Sequence, residues 1–519
     1  MKKIASLLCA GVLTLTMAGS LTGCGGGSVT VEVDRSETQE LREYTLFAND
    51  LGAFDKDNSI VEKWEKQFNI KLKLEGGGAD WMETLCLRAN SDDMPDLFFF
   101  VPNDTNYMSA YTNLVKKGMI LPMSQLSSQA ETPNLDAVLN VEDFKDLRID
   151  GDMYFAPQVS TSFNNTIYVR RDWMNKLGIK DPATLEEFEA MLKAFKERDP
   201  DGNGKNDTYG MAASKTFDWL SYFKIAFGVT PGWSKVDGAW QLDAFTQPYR
   251  SYLECLNGWY KKGYMKNEFF LYDDSDALND FYNGLCGVVM YNGGRATGGV
   301  TYKMKTLNKD AEVDVLPMPD GTAQGGYATN GDWWGGWSIS YSAKEPMRLA
   351  RFLDYLYSEE GTEERLYGIK GVHYDKDDAG NIVLNFENRM KEKDFFGATE
   401  DGKPRDMFAI GSYFGAAFKV ESGKLIDNTS DCIYSESELA HKSIAYANRN
   451  LKRIFPMETL NLGTDYADGY SRVADRVYTY SVRIISGSMG LDEGLAKMKE
   501  LALQDGYEQL QKTLEKQYG

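Results

Sequence analysis

Five consecutive apolar residues, Leu97-Phe98-Phe99-Phe100-Val101, stand in an otherwise mixed chain and constrain its fold more than any other feature. A run without polar alternation needs cover on both faces, as a parallel strand has when helices pack on either side of its sheet. The residues before it supply the rest of the pattern. A short apolar strand is expected at 44–48, and Ile60, Val61, Trp64 and Phe68 then recur at helical spacing. A second strand follows at 70–74, then a helix carrying Trp81, Leu85 and Leu87. Strands alternating with helices predict an α/β sheet, in which ligands bind beyond the carboxyl ends of the strands. Those ends carry Asn49-Asp50 and Asn103-Asp104, so Asn49, Asp50 and Asn103 are candidate ligand contacts; each pair would equally serve as a turn or a helix cap.

The amino terminus is an address. Lys2 and Lys3 open it, residues 4–17 are mostly apolar, and Leu21-Thr22-Gly23 lead to Cys24. The apolar stretch is shorter than the roughly 20 residues a membrane-spanning helix needs, and the three parts together describe a secretion signal over residues 1–23. Leu-Thr-Gly-Cys is similar to the lipobox of bacterial lipoproteins, which makes Cys24 the expected lipidation site. Residues 24–40, opening with three glycines, read as a flexible tether. Removing the signal takes away two lysines and no acid, moving the net charge from −20 to −22. That balance excludes nucleic acid as a partner and disfavours a strongly anionic ligand. Only two histidines are present, and Cys86, Cys255, Cys286 and Cys432 show no metal-ligand spacing, so most metal-hydrolase and Ser-His-Asp chemistry is disfavoured.

The clearest helix start is 181–187, where Thr184 can cap and Glu187 reach back to it. The helix should end by Asp199, ahead of Pro200. There, Asp199, Asp201, Asn203 and Asp207 place oxygen side chains at every second or fourth position, with Gly204 sixth and the Lys205 carbonyl seventh. This reproduces the first nine positions of an EF-hand-type calcium loop, so a structural Ca2+ ion is expected. Position twelve, Gly210, lacks the bidentate Glu. A polar turn is the alternative.

Several segments resemble the family-1 extracellular solute-binding lipoproteins. They are Tyr168-Val169-Arg170-Arg171-Asp172-Trp173-Met174-Asn175-Lys176-Leu177-Gly178 with the capped helix and loop after it, Met94-Pro95-Asp96-Leu97, Gly284-Leu285-Cys286-Gly287-Val288-Val289-Met290, residues 340–361, and Gly371-Val372-His373-Tyr374. The resemblance covers nearly the whole mature chain. It implies a two-lobed α/β fold like that of type 2 periplasmic binding proteins, with a ligand cleft between lobes and a helix-rich C-terminal part. It divides the chain into 41–157 and 313–365 for lobe 1, and 158–312 and 366–519 for lobe 2. It further implies a monomeric, extracytoplasmic receptor, lipid-anchored to the outer face of the cytoplasmic membrane, that delivers an oligosaccharide to an ABC importer permease. Related alginate-oligosaccharide-binding proteins carry a Glu after the last Asp of the calcium loop, where this chain has Thr208.

Sugar sites combine aromatic plates with planar polar groups. Asp332-Trp333-Trp334 lies among glycines, and at least one of the two adjacent tryptophans should face the cleft; Trp337 reads as core. Maltose-binding relatives carry a stacking aromatic in the loop that corresponds to Tyr291-Asn292-Gly293-Gly294-Arg295, which makes Tyr291 and Arg295 candidates. Trp219 suits either the cleft or the core. Trp233 and Trp240, flanking a hairpin tip, are weaker candidates, and Arg170 and Arg171 read as structural. A secreted glycoside hydrolase and a non-transport surface lipoprotein are the alternatives, but no motif singles out a carboxylate pair and no repeat is present.

Overall fold

The computed structural model describes residues 33–49, 51, 58–101, 107–159, 165–215, 220–292, 299–329, 333–392, 414, 418–421, 424–427, 438–453 and 462–519. The expected alternation opens it: β1 (Arg42–Ala48), α1 (Ser59–Phe68), β2 (Ile70–Gly76), α2 (Trp81–Asn90) and β3 (Leu97–Phe100). Asn58 caps α1 through a 2.9 Å bond from the Ile60 amide, and Asn69 ends it in the left-handed conformation. Strands β1, β2 and β3 are parallel, and all four residues of β3 are buried, as the unbroken apolar run requires. In α2 the expected face holds at Trp81 and Leu85, but Leu87 is exposed, two positions round the helix from Leu85.

Helices α3 (Met108–Lys116) and α4 (Pro133–Leu139) lead to β4 (Ala156–Val159). A second set then follows: β5 (Asn165–Arg170), α5 (Arg171–Leu177), α6 (Leu185–Glu197), β6 (Tyr209–Ala212), the β7–β8 hairpin (Trp233–Val236 and Ala239–Leu242), α7 (Gln247–Lys261), α8 (Asp274–Tyr282), β9 (Cys286–Asn292), α9 (Gly299–Leu307) and β10 (Val313–Leu316). The chain returns through β11 (Tyr327–Thr329), β12 (Trp333–Ile339) and α10 (Pro346–Tyr357). Two main sheets result, one ordered β2-β1-β3-β12-β4 and the other β10-β5-β9-β6, each with its own buried apolar core. We call them the first and second lobes.

Strand pairing and packing depart from the expected division at two of its three internal boundaries. Strand β10 pairs antiparallel with β5, so Val313–Leu316 closes the second sheet, and the chain rejoins the first only at Trp333. An alternating apolar strand fits the edge of either sheet, and only the pairing partner decides. Nor does 366–519 belong to one lobe. Glu392 accepts from the Ser59 amide of α1 (3.5 Å), and Phe414 stacks on Trp337 in the first core. The helix Thr464–Ile485 buries Ala467 in the first core and Tyr466, Tyr470, Val473 and Ile484 in the second. The tether is also shorter than 24–40, because residues 33–40 are bonded to the first lobe.

Candidate ligand-binding cleft and cation loop

Register fixes where the strand ends point. In the first sheet β1, β3 and β4 end at the edge where β12 begins, as Trp333↔Val159 and Gly336↔Phe100 show. In the second sheet β9 ends where β5 begins, at Asn165↔Asn292, and β6 runs parallel to β9. The chain passes between the two lobes twice, from β4 to β5 across residues 160–164 and from β11, a strand outside both main sheets whose Tyr327 packs in the second core, to β12 across 330–332. Each crossing is only a few residues long, so the carboxyl ends of both sets of strands are brought to one meeting place. Ligands bind at such ends in α/β sheets.

Three candidate contacts sit on these edges. Asn49 follows β1, half-buried, and its carbonyl accepts from the Gly78 amide (2.8 Å). Tyr291, opposite Thr166 in β9, turns toward the layer of α8 and α9 and lines a hollow of about 230 Å3 with Tyr282, Asn279 and Lys303. Trp333 opens β12 but is only 3 % exposed and stacks on Phe155 at 5.4 Å, so its ring belongs to the core of the first lobe. The register slips between Trp333 and Gly335. The Trp334 side chain, Asp50, Asn103, Trp219, Arg295 and Asp332 lie outside the described residues. Trp337 is core, against Phe99 and Phe414.

The weaker candidates are structural. Trp233 stacks on Tyr507 and Trp240 is buried beneath Lys235, on a hairpin turned by Asp237-Gly238, both with positive φ. Arg170 pairs with Asp172 and lies over Trp173, while Arg171 bridges Asp181 and Asp314. Cys86, Cys255 and Cys286 are free thiols, and burial pushes Cys255 and Cys286 up to about 12, which makes both inert; Cys432 lies outside the described residues.

The loop 199–207 follows α6, which Thr184 caps through the Glu187 amide (3.2 Å). The Glu187 carboxylate reaches the Ala183 amide (2.8 Å), one residue earlier than the expected box. Positive φ at Asp199, Gly202 and Gly204 coils the loop tightly enough for its side chains to meet. Asn203 Nδ2 donates to Asp201 (2.6 Å) and to both oxygens of Asp207 (3.2 and 3.3 Å). The Gly204 amide donates to Asp199 Oδ2 (3.1 Å), while Asp199 Oδ1 is buried without a hydrogen bond. Burial and the neighbouring Asp199 carboxyl push Asp201 above its usual range.

The fit to a cation is therefore conditional on one rotation. Among the described residues no three acidic, histidine or cysteine side chains stand ready as a metal cage. The amide of Asn203 points its N–H inward, acting as the positive end toward two carboxylates. Turning that amide over would present Oδ1 to Asp201 and Asp207 instead, at the cost of the 2.7 Å bond that Oδ1 now accepts from the Lys205 amide. The missing twelfth ligand has a steric reason: Gly210 lies in β6, where a Cβ would come within 2.9 Å of Leu192. Thr208, 5 % exposed, points inward and donates to the Phe195 carbonyl (2.7 Å). Sequence reasoning missed Lys176, whose ammonium donates to the carbonyls of Asp199 (3.3 Å) and Pro200 (3.0 Å); its position in a separate helix gave no local signal.

Two α/β lobes, joined by paired crossings with their strand ends brought together, define a two-lobed solute-binding protein. A family model described as bacterial extracellular solute-binding protein matches residues 50–363, and the chain belongs to that family. It is 26 % identical over 380 residues to the polygalacturonan/rhamnogalacturonan-binding protein YtcQ of Bacillus subtilis, covering 70 % of this chain and 73 % of that one. It is 25 % identical over 337 residues to the fructooligosaccharide ABC transporter substrate-binding protein FusA of Streptococcus pneumoniae, covering 61 % and 60 %. Its fold matches the crystal structure of the alginate-binding protein AlgQ2 without calcium ion, with a TM-score of 0.70 at 17 % identity over 92 % of this chain and 98 % of the other.

Proposed function

We propose that this protein captures an oligosaccharide between its two lobes and delivers it to the permease of an ABC importer. The observation that carries the reading is the meeting of two sets of strand ends at two short chain crossings. Such a joint allows the lobes to close on a ligand that touches both, and the closed state is favoured by the ligand's differential affinity. The relatives agree in kind, since YtcQ and AlgQ2 are named for polysaccharide or alginate binding and FusA for fructooligosaccharide transport. All three are binding proteins, which supports capture over catalysis.

In this reading Trp334 supplies the aromatic plate that Trp333 does not. Asn49, Asp50, Asn103, Trp219, Tyr291, Arg295 and Asp332 are the proposed remaining contacts, and Ca2+ in the 199–207 loop stiffens the second lobe. A lipid on Cys24 keeps the monomeric receptor on the outer face of the membrane.

Titration calorimetry of the mature chain against neutral and uronate oligosaccharides tests the main claim. We expect saturable heat with at least one class, and at least a tenfold loss of affinity in Trp334→Ala without a lower melting temperature. Trp333→Ala should instead lose stability by about 3 kcal/mol, the scale of removing a large buried aromatic. No heat and no thermal shift with any sugar would sink the receptor reading, and shortened products after long incubation would favour the hydrolase.

A further inference from the structure

The hollow beside Tyr291 differs in charge from the chain as a whole. It lies at the carboxyl end of β9, on the α8 and α9 side of the second sheet, and holds about 230 Å3. Helical spacing assembles it. Ser275, Asn279 and Tyr282 fall on one face of α8, and Val300 and Lys303 lie one turn apart on α9. Tyr282 and Val300 are buried in the layer beneath, Tyr291 is half-buried, and Ser275, Asn279 and Lys303 are exposed. Aromatic rings beside a hydroxyl and an amide suit a sugar ring, which has apolar faces and a polar rim.

Lys303 is the one charged side chain among the described residues that line the hollow. Its ammonium stands 5.0 Å from the centre of the Tyr282 ring, and among the described residues no carboxylate pairs with it. The carboxylates of α8 are close in sequence, but they do not line the hollow. Asp273 and Asp276 accept from each other's backbone amides (2.9 and 3.0 Å), and Asp280 accepts from Tyr209 (2.6 Å) and Lys266 (3.0 Å). Asp274 is half-buried at the helix start. The first turn of α9 carries no acid, so its amides add the positive end of that helix to the ammonium. The net charge of −20 opposes an anionic ligand mainly at a distance. Salt screens exposed charges beyond about 8 Å, so the charge that lines the hollow outweighs charge elsewhere on the surface.

We propose that this hollow seats one unit of an acidic oligosaccharide, its ring against Tyr291 and its carboxylate on the Lys303 ammonium. The inference rests on the capture of an oligosaccharide between the lobes, and it makes Lys303 the residue that selects a uronate over a neutral sugar.

Calorimetry of the mature chain with oligogalacturonates and oligomannuronates, each beside its methyl ester and a neutral oligosaccharide of equal length, provides the test. At least one acid should bind, and its ester, which keeps the ring but loses the charge, should bind at least tenfold more weakly. Lys303→Met should cost the acid a similar factor while leaving the affinity for the ester unchanged, and Lys303→Arg should restore most of the loss. Lys309→Met, at an exposed lysine just beyond α9 and outside the hollow, should change neither affinity. Both lysines are exposed, so all three variants should keep the melting temperature of the unaltered chain. A neutral sugar or an ester bound as tightly as the best acid, or an acid bound as tightly by Lys303→Met, would overturn the uronate selection and leave the receptor standing. Binding of no sugar at all would remove the receptor reading and this inference with it.

Discussion

Two charge clusters, one in each lobe, are each built on an acidic residue with left-handed backbone: Glu345 at φ 51° and Asp199 at φ 44°. Around Glu345 every charge has an answer. Arg42 and Arg348 flank it, and the remaining guanidinium donors of Arg348 are taken by the carbonyls of Thr38, Glu40 and Asn69. Around Asp199 the carboxylates of Asp201 and Asp207 share the Asn203 amide, and Asp199 itself accepts only from the Gly204 backbone amide. Among the described residues no Lys or Arg is paired with them, since the Lys176 ammonium bonds backbone carbonyls. The first cluster therefore holds the chain to itself, whereas the second leaves spare acceptor capacity on exposed carboxylates. A fully bonded charge cluster tells of architecture, whereas an under-bonded acidic one is where an added cation can be tested for.

The closed cluster should be the more costly to break. Arg348→Ala removes one of the two arginine partners of Glu345 and takes the donor from three carbonyls, and we expect a loss of about 3 kcal/mol in urea unfolding. A loss under ~1 kcal/mol would reduce the cluster to an ordinary surface pair. Its pH dependence has a definite sign. Burial alone would push the Glu345 carboxyl up, but bonds from Arg42 and Thr38 and the charge of Arg348 outweigh that and hold it at about 2, against an ordinary 4.5. A carboxyl lowered in the folded state contributes stability that is fully present above pH 4.5 and is lost as the pH falls toward 2. Glu345→Gln should flatten that part of the acid unfolding profile.

The open cluster should respond to calcium instead. With Ca2+ a hundredfold above its dissociation constant, the second lobe should gain about 2.7 kcal/mol, read as a higher melting temperature than in chelator. Asp201→Ala with Asp207→Ala should abolish the difference. Without calcium, the neighbouring Asp199 and Asp201 carboxyls shift in opposite directions, Asp199 below and Asp201 above the ordinary range for an Asp, so their contributions to the pH dependence oppose each other. Identical melting in calcium and chelator would make the loop a polar turn and end the comparison.

Local patterns announced much of this molecule. The unbroken apolar run 97–100 became a fully buried parallel strand, Thr184 capped its helix, and alternate oxygens at 199–207 closed into one cluster. What stayed hidden depends on distant partners. Glu345 meets Arg42 and Thr38 some three hundred positions away, so a stretch that reads as tether by composition becomes part of the lobe. Strand β10 joined the second sheet because β5 offered the matching edge. Trp333 read as a cleft candidate in sequence, and only its stacking on Phe155 from a distant strand end shows it to be core.

The smallest predicted effect separates the two clusters most finely. Lys176 is exposed, and its ammonium lies beside the loop without pairing any of its carboxylates. If the loop were a self-sufficient cluster like the one at Glu345, Lys176 would be its cation, and Lys176→Met would loosen the loop whether or not calcium is present. If the loop awaits a divalent ion, Lys176 competes electrostatically with that ion through solvent. Its removal should then tighten calcium binding by a factor of about 2, an effect that fades as salt is raised to screen the exposed charge. Calcium titration of Lys176→Met at low and high ionic strength decides between them. Tighter binding at low salt alone assigns the negative charge of the loop to an external cation, and weaker binding at both salts would return the loop to the closed class that Glu345 represents.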